Sequence, residues 1–180
     1  MEISEYGNIY KNEEKHFYYV SLHNLVISLI KRYLSVQAGL KTKDQKLTTI
    51  LDAGCGTGYL AKKLEKYGMV SAVDINSEAI KFAKRRGVKV KKASVTNLPF
   101  KNNSFDLVTS VDVIYHQKVG DDKKALNDFF RVLKPEGVLI IRVPAISWLK
   151  RSSDVHVHTR QRYNLEELRA KLVNSGFRIV

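Results

Sequence analysis

Leu51-Asp52-Ala53-Gly54-Cys55-Gly56-Thr57-Gly58 joins the short apolar run Thr49 to Ala53 to a helical pattern marked by Leu60, Ala61 and Leu64. Three glycines at alternate positions after a strand let the backbone turn tightly and come close to a ligand. Dinucleotide-binding loops space theirs as G-x-G-x-x-G. Here the third glycine comes one residue early, and the next residue is Tyr59, so the loop reads GxGxG. Asp74 ends the next apolar run, twenty positions after Gly54. A carboxylate there can accept both hydroxyl hydrogens of a ribose that carries no 2′-phosphate.

Outward from this loop, strand and helix periods keep alternating. Asn76 or Ser77 caps a helix with Ala79, Ile80 and Ala83 on its inner face, Gly87 closes it, and Val88 to Ala93 alternates as a strand. Phe105 to Val111 is a further strand, and Ala125, Leu126, Phe129, Phe130 and Leu133 form a helix face. Lys134, Pro135, Glu136 and Gly137 have turn chemistry. Val138 to Val143 is apolar almost throughout, as befits a central parallel strand covered on both faces. An irregular stretch from Pro144 to Tyr163 precedes a helix opened by Asn164 and Glu167, ended by Gly176, with a strand starting at Phe177. Upstream, Leu22 to Leu34 gives one helix behind the cap Ser21, His16 to Tyr19 is an aromatic cluster that packs on the domain or folds over a ligand, and Gln37 to Lys46 is a linker. The alternation predicts an α/β fold with a doubly wound, mostly parallel sheet, whose ligands bind where the strand order reverses.

At this loop the sequence resembles the class I S-adenosylmethionine (SAM)-dependent methyltransferases of the type 11-like group. The likeness runs from Thr49 to Val143, through Asp74, Leu98-Pro99-Phe100, Asn103 to Val108, and Arg131-Val132-Leu133-Lys134-Pro135. It implies a Rossmann-like fold with SAM as cofactor and S-adenosylhomocysteine (SAH) as product. Asp52 would then orient the loop and the cofactor's amino group. Gly54, Gly56 and Gly58 would line its methionine part, Asp74 would take the ribose, Ser94 and Val95 would meet the adenine, and Cys55 and Ile75 would belong to the same cofactor site. Ser94 stands where the family often has aspartate, which leaves adenine recognition to a weaker hydroxyl and to backbone groups. Family members usually carry a further strand beyond the point matching residue 180, so the sheet is expected without its last strand.

At 180 residues the chain has the size of one domain. Residues 1–46 would be cap helix and linker, 47–143 the cofactor-binding core, and 144–180 a substrate-side insertion with a last helix and strand. A formal charge of +13 can attract nucleic acid, anionic membrane or an acidic substrate without naming one. Lys62, Lys63, Lys81 and Lys84 fall on solvent faces of helices, and Lys89, Lys91 and Lys92 fit a sheet edge blunted by charge. Cys55 is the only cysteine, so no internal disulfide or multi-cysteine zinc site can form. With no secretory signal and no apolar run long enough to span a bilayer, a cytoplasmic protein is expected.

Methyl transfer is an in-line displacement, so alignment in a dry cleft can supply much of the rate, with no metal required. His116, just past the fourth strand, is the candidate general base for a hydroxyl acceptor, with packing as its alternative role. Tyr115, Trp148, Arg160, Arg162 and Tyr163 are candidate acceptor contacts, the last four within or beside a lid. Asp154, His156 and His158 would share one face of an extended segment, a metal-binding pattern weighed against that lid. Ser110 to Tyr115 lacks the Asn or Asp, paired prolines and aromatic of DNA amino-methyltransferases. Cys55 is committed to the cofactor loop, which argues against carbon-5 cytosine chemistry. A small-molecule acceptor, through oxygen, comes first; an RNA methyltransferase using the basic surface comes second, and a noncatalytic SAM-binding module third.

Overall fold

The computed structural model describes residues 3–38, 48–145 and 160–180. Five parallel strands form one sheet: β1 (Thr49–Ala53), β2 (Met69–Asp74), β3 (Val90–Lys92), β4 (Phe105–Val111) and β5 (Leu133–Arg142), in spatial order β3-β2-β1-β4-β5. From β1 the chain winds outward to β2 and β3, then returns to β4 on the other side of β1. The strand order therefore reverses between β1 and β4, and a crevice opens beyond their carboxyl ends.

Both sheet faces are covered, which is why these strands are apolar at successive positions. Alternate side chains of β1 point opposite ways. Ile50 packs with Leu107, with Val26 and Ile30 of α2 (Phe17–Ala38), and with Leu60 and Leu64 of α3 (Tyr59–Leu64). Leu51 packs on the other face with Val108, with Leu126 and Phe129 of α5 (Asp122–Val132), and with Leu172 of α6 (Leu165–Asn174). Between α3 and α5 in the chain, α4 (Ser77–Arg85) is capped by Asn76, whose side chain accepts from the Glu78 and Ala79 amides. Asn164 caps α6 through the Glu167 amide as expected. β3 is an edge strand, and the expected lysines lie on it or beside it.

Five features differ from the sequence reading. The apolar run Val138 to Val143, expected as a central strand, lies in β5, which is the other edge of the sheet among the described residues and pairs with β4 alone. A polar helix α1 (Ile3–Asn12) precedes the expected one. Its apolar residues are too few to announce it, and it is held by packing on α4, with the Tyr10 and Phe82 rings 4.8 Å apart. α2 begins at Phe17 rather than behind Ser21, because the Val20 amide already donates to the His16 carbonyl. Lys134 to Gly137 does not separate helix from strand but bulges within β5. Pairing jumps from Phe105 with Leu133 to Leu107 with Val138, and Glu136 adopts a positive φ of 62°. Phe177 to Val180 forms no strand: the Phe177 amide closes α6 on the Leu172 carbonyl, and its ring sits edge-on to Phe130. Among the described residues no helix is long and apolar enough to cross a membrane.

Candidate cofactor and acceptor cleft

The glycine loop leaves β1 at Gly54, crosses the carboxyl end of β2 and enters α3 at Tyr59. The Gly54 and Cys55 amides both donate to the Val73 carbonyl at 2.9 Å, which anchors the loop to β2. Gly54 has φ 87°, and a β-carbon there would lie 2.3 Å from Val113 Cγ2, so both conformation and space demand glycine. Gly56 is different. A β-carbon on it would meet nothing within 4 Å, so its backbone faces open space, as a loop that receives a ligand requires.

That space is a cleft of about 290 Å³, at the small end of small-molecule sites. Asp52, Gly54, Cys55, Gly56, Asp74, Ile75, Ser94 and Val95 all line it, bringing eight of the nine expected cofactor residues together. Gly58 instead shapes the entry to α3, where a β-carbon would stand 2.9 Å from Ala83.

The carboxylates carry most of the site's chemistry. Asp52 is 2% exposed. Its Oδ1 accepts from the Thr109 hydroxyl at 2.9 Å, while its buried Oδ2 has no hydrogen-bond partner among the described residues. Burial pushes its pKa up to about 7, partly countered by the Thr109 bond and reinforced by the charge of Asp74. An orphaned buried carboxylate oxygen fits a ligand that brings an ammonium group. Asp74 accepts from the Gly56 amide at 2.9 Å through Oδ2 and from the Asn76 amide at 2.8 Å through Oδ1, which leaves a lone pair on each oxygen for vicinal hydroxyls. Burial raises its pKa against those amide bonds. Cys55 is buried and its thiol is pushed well above the ordinary range, so no thiolate nucleophile is available there. The Ser94 hydroxyl pairs with the Thr96 hydroxyl at 2.8 Å and accepts the Thr96 amide, so it shapes its own turn while lining the cleft.

Across the cleft, Asp112, Tyr115 and His116 follow β4. Asp112 sits at φ 61°, and its carboxylate pairs with Arg142 at the end of β5 through Oδ1. Burial raises its pKa and the Arg142 charge pulls it back. The Arg142 guanidinium also lies 5.8 Å from the Tyr18 ring centre. His116 caps the short 3-10 helix Gln117–Val119, its Nδ1 accepting the Lys118 amide at 3.2 Å. A ring nitrogen that accepts carries no proton, so in the neutral ring the proton is on Nε2. His116 lines the cleft while its Nδ1 keeps this cap.

The expected acceptor contacts divide. Tyr115 lines the cleft. Tyr163 does not: it is buried in the core with its hydroxyl donating to Asp122 Oδ2 at 2.8 Å. The Arg160 guanidinium donates to the Gly120 carbonyl and lies 3.5 Å from Asp122, and Arg162 donates to the Ala145 carbonyl; neither lines the cleft. Trp148 and the Asp154, His156 and His158 pattern lie outside the described residues.

Sequence reasoning missed the roof of the cleft. Tyr6, Ile9 and Glu13, from α1 and the turn after it, and Tyr18, Tyr19, Leu22 and His23 of α2 all line it. Tyr6 has its pKa pushed up to about 12 by burial and by the nearby Asp74 charge. The aromatic cluster His16 to Tyr19 was the one available signal, and half of it lines the cleft: Tyr19, and Tyr18 although it is itself 41% exposed, while Phe17 lies outside the cleft in solvent.

Comparison with known proteins agrees with this geometry. Residues 51–141, just over half of the chain, match the model of the family described as "Methyltransferase domain". A probable S-adenosylmethionine-dependent methyltransferase of Mycobacterium tuberculosis is 31% identical over 134 residues, covering 71% of this chain and 48% of that protein. A tRNA (carboxymethyluridine(34)-5-O)-methyltransferase of Arabidopsis thaliana is 33% identical over 115 residues, covering 63% of this chain and 27% of that protein. The crystal structure of a SAM-dependent methyltransferase, possible histamine N-methyltransferase, of Thermotoga maritima superposes with a TM-score of 0.62 at 30% identity, over 82% of this chain and 72% of that one. The chain spans about half the length of the curated relatives it matches. A parallel sheet in this order, a GxGxG loop after β1 and a carboxylate ending β2, together with these matches, establish that the chain belongs to the class I SAM-dependent methyltransferase family, whose cofactor is S-adenosylmethionine.

Proposed function

We propose that the chain transfers a methyl group from SAM to a hydroxyl of a small-molecule acceptor in the cytoplasm. One observation carries this reading: the glycine loop and the segment Asp112 to His116 face each other across a cleft that the N-terminal helices roof over, leaving room on a small-molecule scale. SAM supplies a methyl group on cationic sulfur and leaves as the neutral thioether SAH. Asp52 Oδ2 would hold its ammonium, the Asp74 carboxylate its ribose hydroxyls, and Ser94 and Val95 its adenine edge.

At the other end, Tyr18, Tyr115 and His116 would orient the acceptor. Asp112 takes the proton. Arg142 occupies its Oδ1, so Oδ2 is the oxygen that receives the acceptor's O–H hydrogen as the new O–CH3 bond forms. A carboxylate whose pKa burial has raised is better matched to that task than an ordinary exposed one. Cys55, neutral and inside the cofactor loop, takes no part.

A second reading, an RNA acceptor, has its own observation. Lys84, Arg85, Lys89, Lys91 and Lys92 are exposed along α4 and β3, and no carboxylate pairs with them among the described residues. Incubation with SAM carrying a labelled methyl group and fractionated cell extract separates the readings. Label in the small-molecule fraction, stable to mild base as an ether, supports the first. Label in RNA, lost steeply with added salt, supports the second. SAM binding with no label transferred to any fraction leaves a noncatalytic binding module.

A further inference from the structure

Glu13 is an ionisable group that none of the chemistry above uses, and it is 4% exposed. It lies in the turn between α1 and α2 and lines the cleft. Its Oε1 accepts from the Thr57 hydroxyl at 2.5 Å and from Arg86 Nη2 at 2.8 Å. Arg86 follows α4, and its other terminal nitrogen, Nη1, donates to Glu14 at 2.6 Å. Nη2 also reaches the Tyr10 carbonyl at 3.1 Å, and the guanidinium lies 4.3 Å from the Tyr10 ring centre and 5.0 Å from that of Tyr59. Thr57 is buried between Gly56 and Gly58, both at positive φ.

Burying a carboxylate is costly unless it is paired and hydrogen-bonded. The pairing here is specific, since a single oxygen joins the cofactor loop, α4 and the two helices that roof the cleft. The loop needs such a hold. Two flanking glycines give Thr57 a backbone with unusual freedom, and nothing else that bonds the Thr57 side chain is found among the described residues.

We propose that Glu13 is a positioning residue of the cofactor site, holding the glycine loop in its ligand-receiving shape through Thr57 and locking the roof helices to that loop through Arg86. Cofactor binding and closure of the N-terminal helices are then one event, because both require the same carboxylate. Burial raises the Glu13 pKa while Thr57 and Arg86 draw it down, in keeping with a charge tolerated only for these partners. The proposal rests on the reading of the cleft as a SAM site.

Calorimetric titration with SAH tests it on wild type, Glu13→Ala, Thr57→Val, Thr57→Ser and the double variant Glu13→Ala/Thr57→Val. Glu13→Ala and Thr57→Val should each weaken SAH roughly tenfold, as expected for a hydrogen bond to a charged group. The double variant should lose little more than Glu13→Ala alone, since the bond that Thr57→Val removes is already gone once Glu13 is truncated. Thr57→Ser keeps the hydroxyl and should stay within about twofold of wild type by the same measure. SAH should also slow tryptic cleavage after Lys11 and Lys15 in wild type but not in Glu13→Ala. If Glu13→Ala does not fold, the Thr57 pair and the isosteric Glu13→Gln carry the measurement, with Glu13→Gln between wild type and Thr57→Val. Unchanged SAH affinity in the folded variants, or strictly additive losses, overturns the positioning role alone. Failure of the wild-type protein to bind SAH removes the cofactor reading and this proposal with it.

Discussion

Asp52 and Asp74 both present carboxylates to the cleft, but their surroundings give them different pH behaviour. Asp52 has one bonded oxygen and one orphan, and its pKa of about 7 in the folded chain lies above the ordinary carboxylate value. Between those values the folded chain holds a proton that the unfolded chain has released. Stability from this group is therefore complete below about pH 4 and is lost as pH rises through about 7. Asp52→Asn cannot ionise, so between pH 5 and pH 8 it should gain stability relative to wild type, on the order of 3 kcal/mol. Urea titrations at both pH values measure this, and parallel pH profiles for the two proteins would exclude it. Asp74 has both oxygens engaged by amides, one of them the Gly56 amide of the loop itself. Asp74→Ala removes the hold on Gly56 and, on the proposed reading, the ribose hydrogen bonds with it. It should cost SAH binding about 1–3 kcal/mol by calorimetry, and unchanged affinity would take Asp74 out of the site.

At the scale of elements, α5 shows two kinds of aspartate side by side. Asp121 is an ordinary N-cap, its side chain accepting the Lys124 amide at 2.9 Å. Asp122 is buried and gathers four donors on Oδ2: Gln161 and the Tyr163 hydroxyl at 2.8 Å, Lys171 at 3.1 Å and Arg160 at 3.5 Å. Burial alone would raise its pKa, but the Tyr163 bond and the neighbouring cations hold it below the usual carboxylate range. Asp121→Ala should cost about 1 kcal/mol. Asp122→Ala strands the buried Tyr163 hydroxyl and should cost about 2–4 kcal/mol. Equilibrium denaturation gives the order, and equal losses would mean that Asp122 acts as a cap only. This aspartate ties α5 to Arg160, Gln161 and Tyr163 as well as to α6, which explains why Arg160 and Tyr163, two of the residues expected to touch acceptor, stabilise the scaffold beside the cleft instead.

For the whole molecule, a ligand bridging loop, strand ends and roof helices should stabilise all of them at once. At a concentration one hundred times its dissociation constant, SAH should add about 2.7 kcal/mol, a rise in Tm of roughly 5–10 °C for a chain of this length. NAD should give no rise, because the GxGxG loop and Asp74 suit one adenosyl group without a pyrophosphate. Equal shifts from NAD and SAH would contradict that reading. The sequence alone determined the alternation of strands and helices and which residues from the glycine loop and the strand ends line one side of the cleft, because these depend on local signals. Apolar runs make buried parallel strands, glycines at alternate positions after a strand mark a tight turn open to a ligand, and Asp74 falls at a strand end. Only the tertiary structure decided the rest. Tyr6 and Glu13 lie more than forty residues before the loop they roof, in and just after a polar helix whose pattern gives no hint of burial. Tyr163 looked like an acceptor contact until its hydroxyl met Asp122, and the cap that His116 gives to the Lys118 amide, while it still lines the cleft, was not legible either. In each case the deciding partner is brought in by folding, or by a backbone bond that residue type does not disclose.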